Sequence, residues 1–451
     1  MSTRTFPEIG DNPSATEHFY VDGEARDCYN ARVRVNGTEV PAVTASSMRD
    51  DEYAIETQIR TDGPASVTRL SDIYVPAYWN GDDIFDSLPL QPDSRINVPV
   101  TIETRPPQQS GYERNWRTVH YGWLRKIGSG GEGRLLRFKV SDYANIANNT
   151  PVTEHWHAVP HNEFFNYAVD RLREKDSFPA FSIGTVNEDI IAEGTTYGSE
   201  AEDSYGYIGE YEVDAANGDT VATMFDKLAE VTETDWWFEP SGDGLVLMFV
   251  SLDDVYKGWK SRESGGTLRV RDNRALYSLD PINTVVVVGE EITSVEGRSN
   301  RSGSYISAKA SHDKLLEHAD GQENSKVIYG SYSDMKSAEN TAREKLIKEI
   351  RSGGEGEIIT DGHPELFIGN AVTSRPLCGN LISSDVPPLD YGVKGLSHQV
   401  PSDGRYKTKL SVGIHAPSNG VSSSYGYSSK QGDIFIPTTG QITRTFSEVG
   451  E

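Results

Sequence analysis

The chain has little cysteine: two residues in 451, Cys28 and Cys378. They lie far apart with no Cys-x-x-Cys pair, which excludes a disulfide framework or a structural zinc cluster and leaves room for at most one remote pairing. Long hydrophobic runs are missing too. No stretch approaches the roughly 18 apolar residues of a membrane span, and the opening MSTRTFPEIGDNPS has neither the basic nor the apolar segment that would direct export. Positive charge is scarce: 43 Lys and Arg against 68 Asp and Glu give a formal net charge of −25, spread along the whole length. Such a surface repels a phosphate backbone, so stable nucleic-acid binding is not expected. It suits a protein kept hydrated in concentrated salt, where charges are screened within about 3 Å at 1 M. An ordinary acidic soluble protein is the plainer reading of the same numbers.

Motifs that carry chemistry are absent as well. There is no nucleophile elbow Gly-x-Ser-x-Gly, no His-Glu-x-x-His and no phosphate-binding Gly-x-x-x-x-Gly-Lys-[Ser/Thr]. The runs GSGGEGR (128–134) and SGGEGE (352–357) lack the lysine and hydroxyl that hold phosphate and Mg²⁺, so they read as turns. His155, His157 and His161 in HWHAVPH have no carboxylate or cysteine spacing to complete a metal site and read as surface or interface histidines. Carboxylates are so numerous that no pair stands out as general acid and base, which leaves glycosidase chemistry unexcluded. Trp156, Trp236, Trp237 and Trp259 fit a sugar groove or a core, and core is the better reading beside an amphipathic helix. No catalytic, cofactor-binding or metal-binding residue is assigned, and no hydrolase activity is expected.

What is present is an order of elements. From about 30 to 145 short alternating runs read as antiparallel strands, with Asn36-Gly37 between two of them as a hairpin turn. The spacing implies a small barrel or sandwich, giving an N-terminal domain over 1–149. An α/β insert follows over 150–270. Its first helix, VPHNEFFNYAVDRLREK (159–175), buries Phe164, Ala168 and Leu172 on one face. A second helix, capped by Asp219, places Val221, Phe225 and Leu228 on one face and Lys227 on the exposed one. It runs into a hairpin of DWWFEP and LVLMFV that turns through Pro240, Ser241 and Gly242.

A third region, 271–415, opens with the continuous apolar run of PINTVVVVGEEI, a strand buried on both faces. A polar helix at about 333–351 steps through Met335, Ala338, Ala342, Leu346 and Ile350, and further strands follow. Residues 416–451 read as a Ser/Gly-rich linker and C-terminal extension, with a lone hairpin at 433–447.

Taken in order, these residues resemble the baseplate-hub or late control protein D family of tailed phages, related to the base of the type VI secretion spike. Ala338, Ala342 and Leu346 match that family's helix; Gly362, Pro364, Leu366 and Gly369 match its Gly-x-Pro-x-Leu-x-x-Gly turn. Tyr391, Val393, Leu396 and His398 match one strand, and Tyr406, Thr408 and Leu410 the next. The paired strands TVHYGWLRKIG and RLLRFKVSDY look like those closing the family's first barrel. The resemblance covers about residues 30–415; the 416–451 tail has no counterpart, and no lysozyme or peptidase domain is appended.

The resemblance implies a β-rich α+β fold with two tail-tube-like β-barrel domains and an α/β insert between them. It implies a structural, non-enzymatic hub of a viral tail tip or baseplate: a homotrimer whose six near-equivalent modules join a sixfold tail tube to a threefold tip. Implied partners are further copies of the chain, tail tube or distal tail protein, tip, spike or fibre proteins and the tape measure protein, within the virion. Three alternatives stay open: the hub of a contractile injection particle, a carbohydrate-active or glycan-binding tail protein, and a β-sandwich adhesion module.

Overall fold

The computed structural model describes residues within 31–428, apart from connecting segments of which the longest are 41–52, 84–97, 107–114, 192–206, 293–303 and 383–388; residues 1–30 and 429–451 also lie outside the described residues. The Asn36-Gly37 turn forms as its dipeptide implies. Both residues have positive φ, 47° and 79°, which is what a two-residue hairpin turn needs, and Ala31–Val35 pairs antiparallel with Thr38–Val40 across it.

That hairpin is one end of a large sheet. From the other end the strand order is Val270–Asn273, Glu357–Asp361, Lys407–Ile414, Leu389–Pro401, Tyr53–Asp62, Ser66–Pro76, Leu135–Asp142, Arg117–Ser129, Pro99–Thr104, Ala31–Val35 and Thr38–Val40. The fold is β-rich α+β, as expected. The two separate barrels are not seen in the pairing, which runs as an open path among the described residues. Front and back of the chain share the sheet because Tyr53–Asp62 pairs antiparallel with Leu389–Pro401, Ile59 opposite Leu396 and Thr57 opposite His398. Alternation along a strand tells which face is buried; it does not tell which strand lies alongside.

The 271–415 region also divides. Thr284–Ile292, Ser304–His312 and Ser325–Tyr329 build a second, four-stranded sheet, completed by Val421–Ser428 antiparallel to Ser304–His312. The 416–432 segment is therefore no linker at 421–428. Its serines and tyrosines pair through main-chain groups, a use that composition does not display. The 433–447 hairpin lies outside the described residues. Helix Met335–Ser352 covers one face of this sheet, with Ala338, Ala342, Leu346 and Ile350 buried on Val285, Val287 and Ile306. Two alanines along that face let the helix lie close to the strands. Val285 to Val288 are all buried, as their unbroken apolar run implies.

The insert is a third core. Helices His161–Arg173 and Val221–Val231 pack on the hairpin Asp235–Ser241 and Gly244–Val250, and Phe181–Val186 adds a parallel strand beside the latter. Phe225 is fully buried, its ring 5.1 Å from Trp236 and 5.4 Å from Phe249 between centroids. Trp236 Nε1 donates to Asp226 Oδ1 at 2.7 Å, tying hairpin to helix. Two local expectations are corrected. The cap is Thr220, not Asp219: Thr220 is extended, its Oγ1 accepts the Thr223 N–H, and Thr223 Oγ1 accepts the Thr220 N–H. Asp219 instead accepts the Asp214 N–H at 3.0 Å. Lys227 is half-buried rather than exposed, because the helix is flanked on more than one side.

Candidate functional site: a polar belt between two cores

One rung of the large sheet is polar. Thr408, His398, Thr57 and Ser71 are successive cross-strand partners, and all four are buried. On either side of this rung the same strands are apolar. Ile55, Ile73, Val400 and Tyr406 belong to one core with Phe138 and Val100. Ile59, Val67, Leu396 and Leu410 belong to another with Trp237 and Tyr391. The belt therefore separates two hydrophobic clusters that a single sheet spans.

Buried polar groups at such a place must satisfy one another. Thr57 Oγ1 lies 2.8 Å from Ser71 Oγ, which lies 2.6 Å from His120 Nδ1. Thr104 Oγ1 donates to the Tyr406 hydroxyl at 3.2 Å, and the Tyr406 hydroxyl lies 2.7 Å from His398 Nδ1. Burial, followed by the charge of Arg69, drives His120 down to about 3. Burial likewise takes His398 to about 3, with Arg69 and His363 adding to it. Both rings are neutral at neutral pH.

Arg69 is the centre of the belt. It is 2% exposed, and its guanidinium reaches three parts of the chain. Nη1 donates to the Phe238 carbonyl at 2.8 Å and Nη2 to Glu239 Oε2 at 2.7 Å, both on the insert hairpin. It stacks 5.3 Å from the Phe367 ring, on the turn after Gly362. On its own sheet Nη1 is 4.0 Å from Asp142 Oδ2, which accepts the Arg69 backbone N–H at 3.1 Å. Asp142 Oδ1 accepts the Ala144 N–H at 3.0 Å. Burial pushes the Asp142 carboxyl up to about 6 even though Arg69 and these N–H bonds pull it down. A cavity of about 260 Å³ opens beside Arg69, lined also by Trp237, Glu239, Lys257, Phe367 and His398.

The motif residues behind the phage resemblance meet here. The Gly362 N–H donates to the Tyr406 carbonyl at 2.9 Å, and the His363 N–H to Thr408 Oγ1 at 3.0 Å. A Cβ at Gly362 would stand 2.1 Å from the Tyr406 ring, so only glycine fits. Gly369 has φ 84°, the left-handed region.

Chemically, the belt orders the sheet. Ser71 and His120 have nucleophile–base spacing, and both are buried in the sheet. Trp236, Trp237 and Trp259 are buried within the hydrophobic cores, and Trp237 also lines the cavity beside Arg69; the Trp156 side chain lies outside the described residues. His155 is 3.5 Å from Asp214, His161 is buried at a helix start, and His157 is outside the described residues. Among the described residues no cluster of three His, Cys, Asp or Glu side chains has the spacing to hold a metal ion. None of their helices is long and apolar enough to cross a membrane.

Sequence reading noticed His398 and Tyr406 through the family motif and missed Arg69, His120 and Asp142. A signal was present in the strand phase. Arg69 and Ser71 alternate in step with Ile73 and Val75, and Asp142 with Phe138 and Val140, so each polar residue falls on a core-facing position.

No protein-family model and no curated protein sequence matches the chain. Solved structures do: the 43 kDa tail protein of prophage MuSo2 from Shewanella oneidensis superposes with a TM-score of 0.50 at 10% identity, covering 85% of this chain and 98% of that one. The fold is similar to that of a prophage tail protein. A tail protein from Neisseria meningitidis MC58 gives a TM-score of 0.49 at 11% identity, covering 86% of this chain and 98% of that one. The E. coli c3393 protein, a type VI secretion component with structural similarity to the T4 tail proteins gp27 and gp5, gives 0.45 at 10% identity over 86% and 78%. At these identities the likeness is one of fold.

Proposed function

We propose that this chain is the structural, non-enzymatic hub of a viral tail tip or baseplate, and that three copies close a ring joining a sixfold tail tube to a threefold tip or spike. The observation that carries the reading is the likeness of fold to the MuSo2 tail protein over 85% of this chain. The buried belt supports it, because its polar groups are spent on holding strands together. In this reading the strands of 31–142 and those of 357–414 act as two tube-like barrel modules, and residues 150–270 form an insert that decorates the ring. A closed ring also covers sheet edges that a lone copy leaves open. Tube, tip, spike, fibre and tape measure proteins are the partners this role requires, and the virion is its location. A salt-rich setting is part of the same reading and rests on composition alone. Native mass spectrometry tests the assembly: three copies of 49.8 kDa, about 150 kDa, are expected. A monomer at every salt and protein concentration, or a dimer, contradicts it.

A further inference from the structure

The chain carries a net charge of −25, yet the described end of one hairpin is basic. In strand Arg117–Ser129 the last five residues, from Arg125, are all exposed, including Ile127 at 38%. Register places Lys126 opposite Lys139, and Lys139 opposite Asp72. Asp72 is already engaged: Arg137 Nε donates to it at 2.9 Å, while Lys139 Nζ stands 3.9 Å away. Among the described residues no hydrogen-bond acceptor or carboxylate reaches Arg125 or Lys126. Arg137 and Lys139 thus both lie on Asp72, and two like charges, Lys126 and Lys139, sit directly across from each other, an arrangement that costs stability on an isolated sheet. It is relieved when carboxylates from outside come within contact range.

The occupant is set by charge. A chain carrying 68 acidic against 43 basic residues offers carboxylates in excess, and in the ring reading copies meet edge to edge. We propose that the end of this hairpin, through Arg125, Lys126 and Lys139 with Ile127 beside them, docks on an acidic face of the neighbouring copy. This rests on the ring reading above. Contacts of this kind set partner orientation and encounter rate and weaken with salt.

The test uses the full chain with Arg125→Glu and Lys126→Glu together, and Lys348→Glu, an exposed lysine on the Met335–Ser352 helix, as control. Self-association is measured by sedimentation at about 0.15 M salt. The double reversal is expected to weaken it at least tenfold with an unchanged melting curve, and the control to leave it unchanged. In a mixture of isotopically heavy and light chains, carbodiimide is expected to join Lys126 or Lys139 to an Asp or Glu of the other isotope. Unchanged assembly of the reversal variant, with these lysines cross-linked only within one copy, overturns the docking and leaves the ring intact. A variant that still forms the ring but no longer joins a particle assigns the hairpin to a different protein and also overturns it. Wild-type chain that never self-associates overturns the ring and the docking together.

Discussion

Replacing Arg69 with methionine keeps the volume and removes the charge at the centre of the belt. The Phe238 carbonyl then loses its donor, a cost of about 1–3 kcal/mol for a buried acceptor. Asp142, 2% exposed, is left as a buried carboxylate without its cation, and breaking such a pair costs about 3–5 kcal/mol. The two do not add fully, because Asp142 titrates near 6 and sheds part of the penalty by taking a proton. A net loss of about 4 kcal/mol is expected. With an unfolding entropy of about 2.1 cal/mol/K per residue over 451 residues, that lowers the melting temperature by about 4 °C. Adding Asp142→Asn to the variant removes the stranded charge and should recover about half, a coupling that a double-mutant cycle reads directly. Calorimetry at neutral pH on the four proteins is the assay. A shift below about 1 °C for Arg69→Met, or strictly additive losses in the double variant, refutes the idea that Arg69 neutralises Asp142 and clasps the insert to the sheet.

Acid should weaken the fold through the belt: His120 and His398 are held near 3 when folded and return to about 6.5 when unfolded, so between pH 6.5 and 5 each loses about 1.6 kcal/mol of stability. Asp142, raised to about 6, returns about 1 kcal/mol over the same interval, leaving a net fall of about 2 kcal/mol; a melting temperature flat from pH 7 to 5 contradicts it. Phe225→Ala should cost about 3–5 kcal/mol, while Asn166→Ala on the exposed face of the neighbouring helix stays within about 0.5 kcal/mol. Equal small shifts for the two would remove the case for a packed insert. Gly362→Ala forces a methyl into the Tyr406 ring and should cost about 1–3 kcal/mol, with denaturant unfolding as the readout and an unchanged midpoint as the contrary result.

Local structure was legible where pattern and burial coincide. The Asn36-Gly37 turn, the buried face of Phe164, Ala168 and Leu172, the Val221, Phe225 and Leu228 stripe and the four-step face from Ala338 to Ile350 all follow from periodicities that pack one side of an element. Long-range pairing was not legible. That Tyr53–Asp62 lies beside Leu389–Pro401, joining front and back into one sheet, depends on registers between strands that no local pattern encodes. Val421–Ser428 was misread because a strand of small polar residues binds by its backbone and leaves no hydrophobic signature. The belt was only half legible, since a lone Arg or Asp in an alternating strand normally marks the solvent face. Arg69 and Asp142 break that rule together, each neutralising the other.

Single-particle images of the assembled full chain test the central claim most directly. The account predicts a closed ring of three copies whose inner rim shows six similar modules, with the insert of each copy at the periphery. An open filament, a two-fold particle, or a ring with any other number of copies would contradict it.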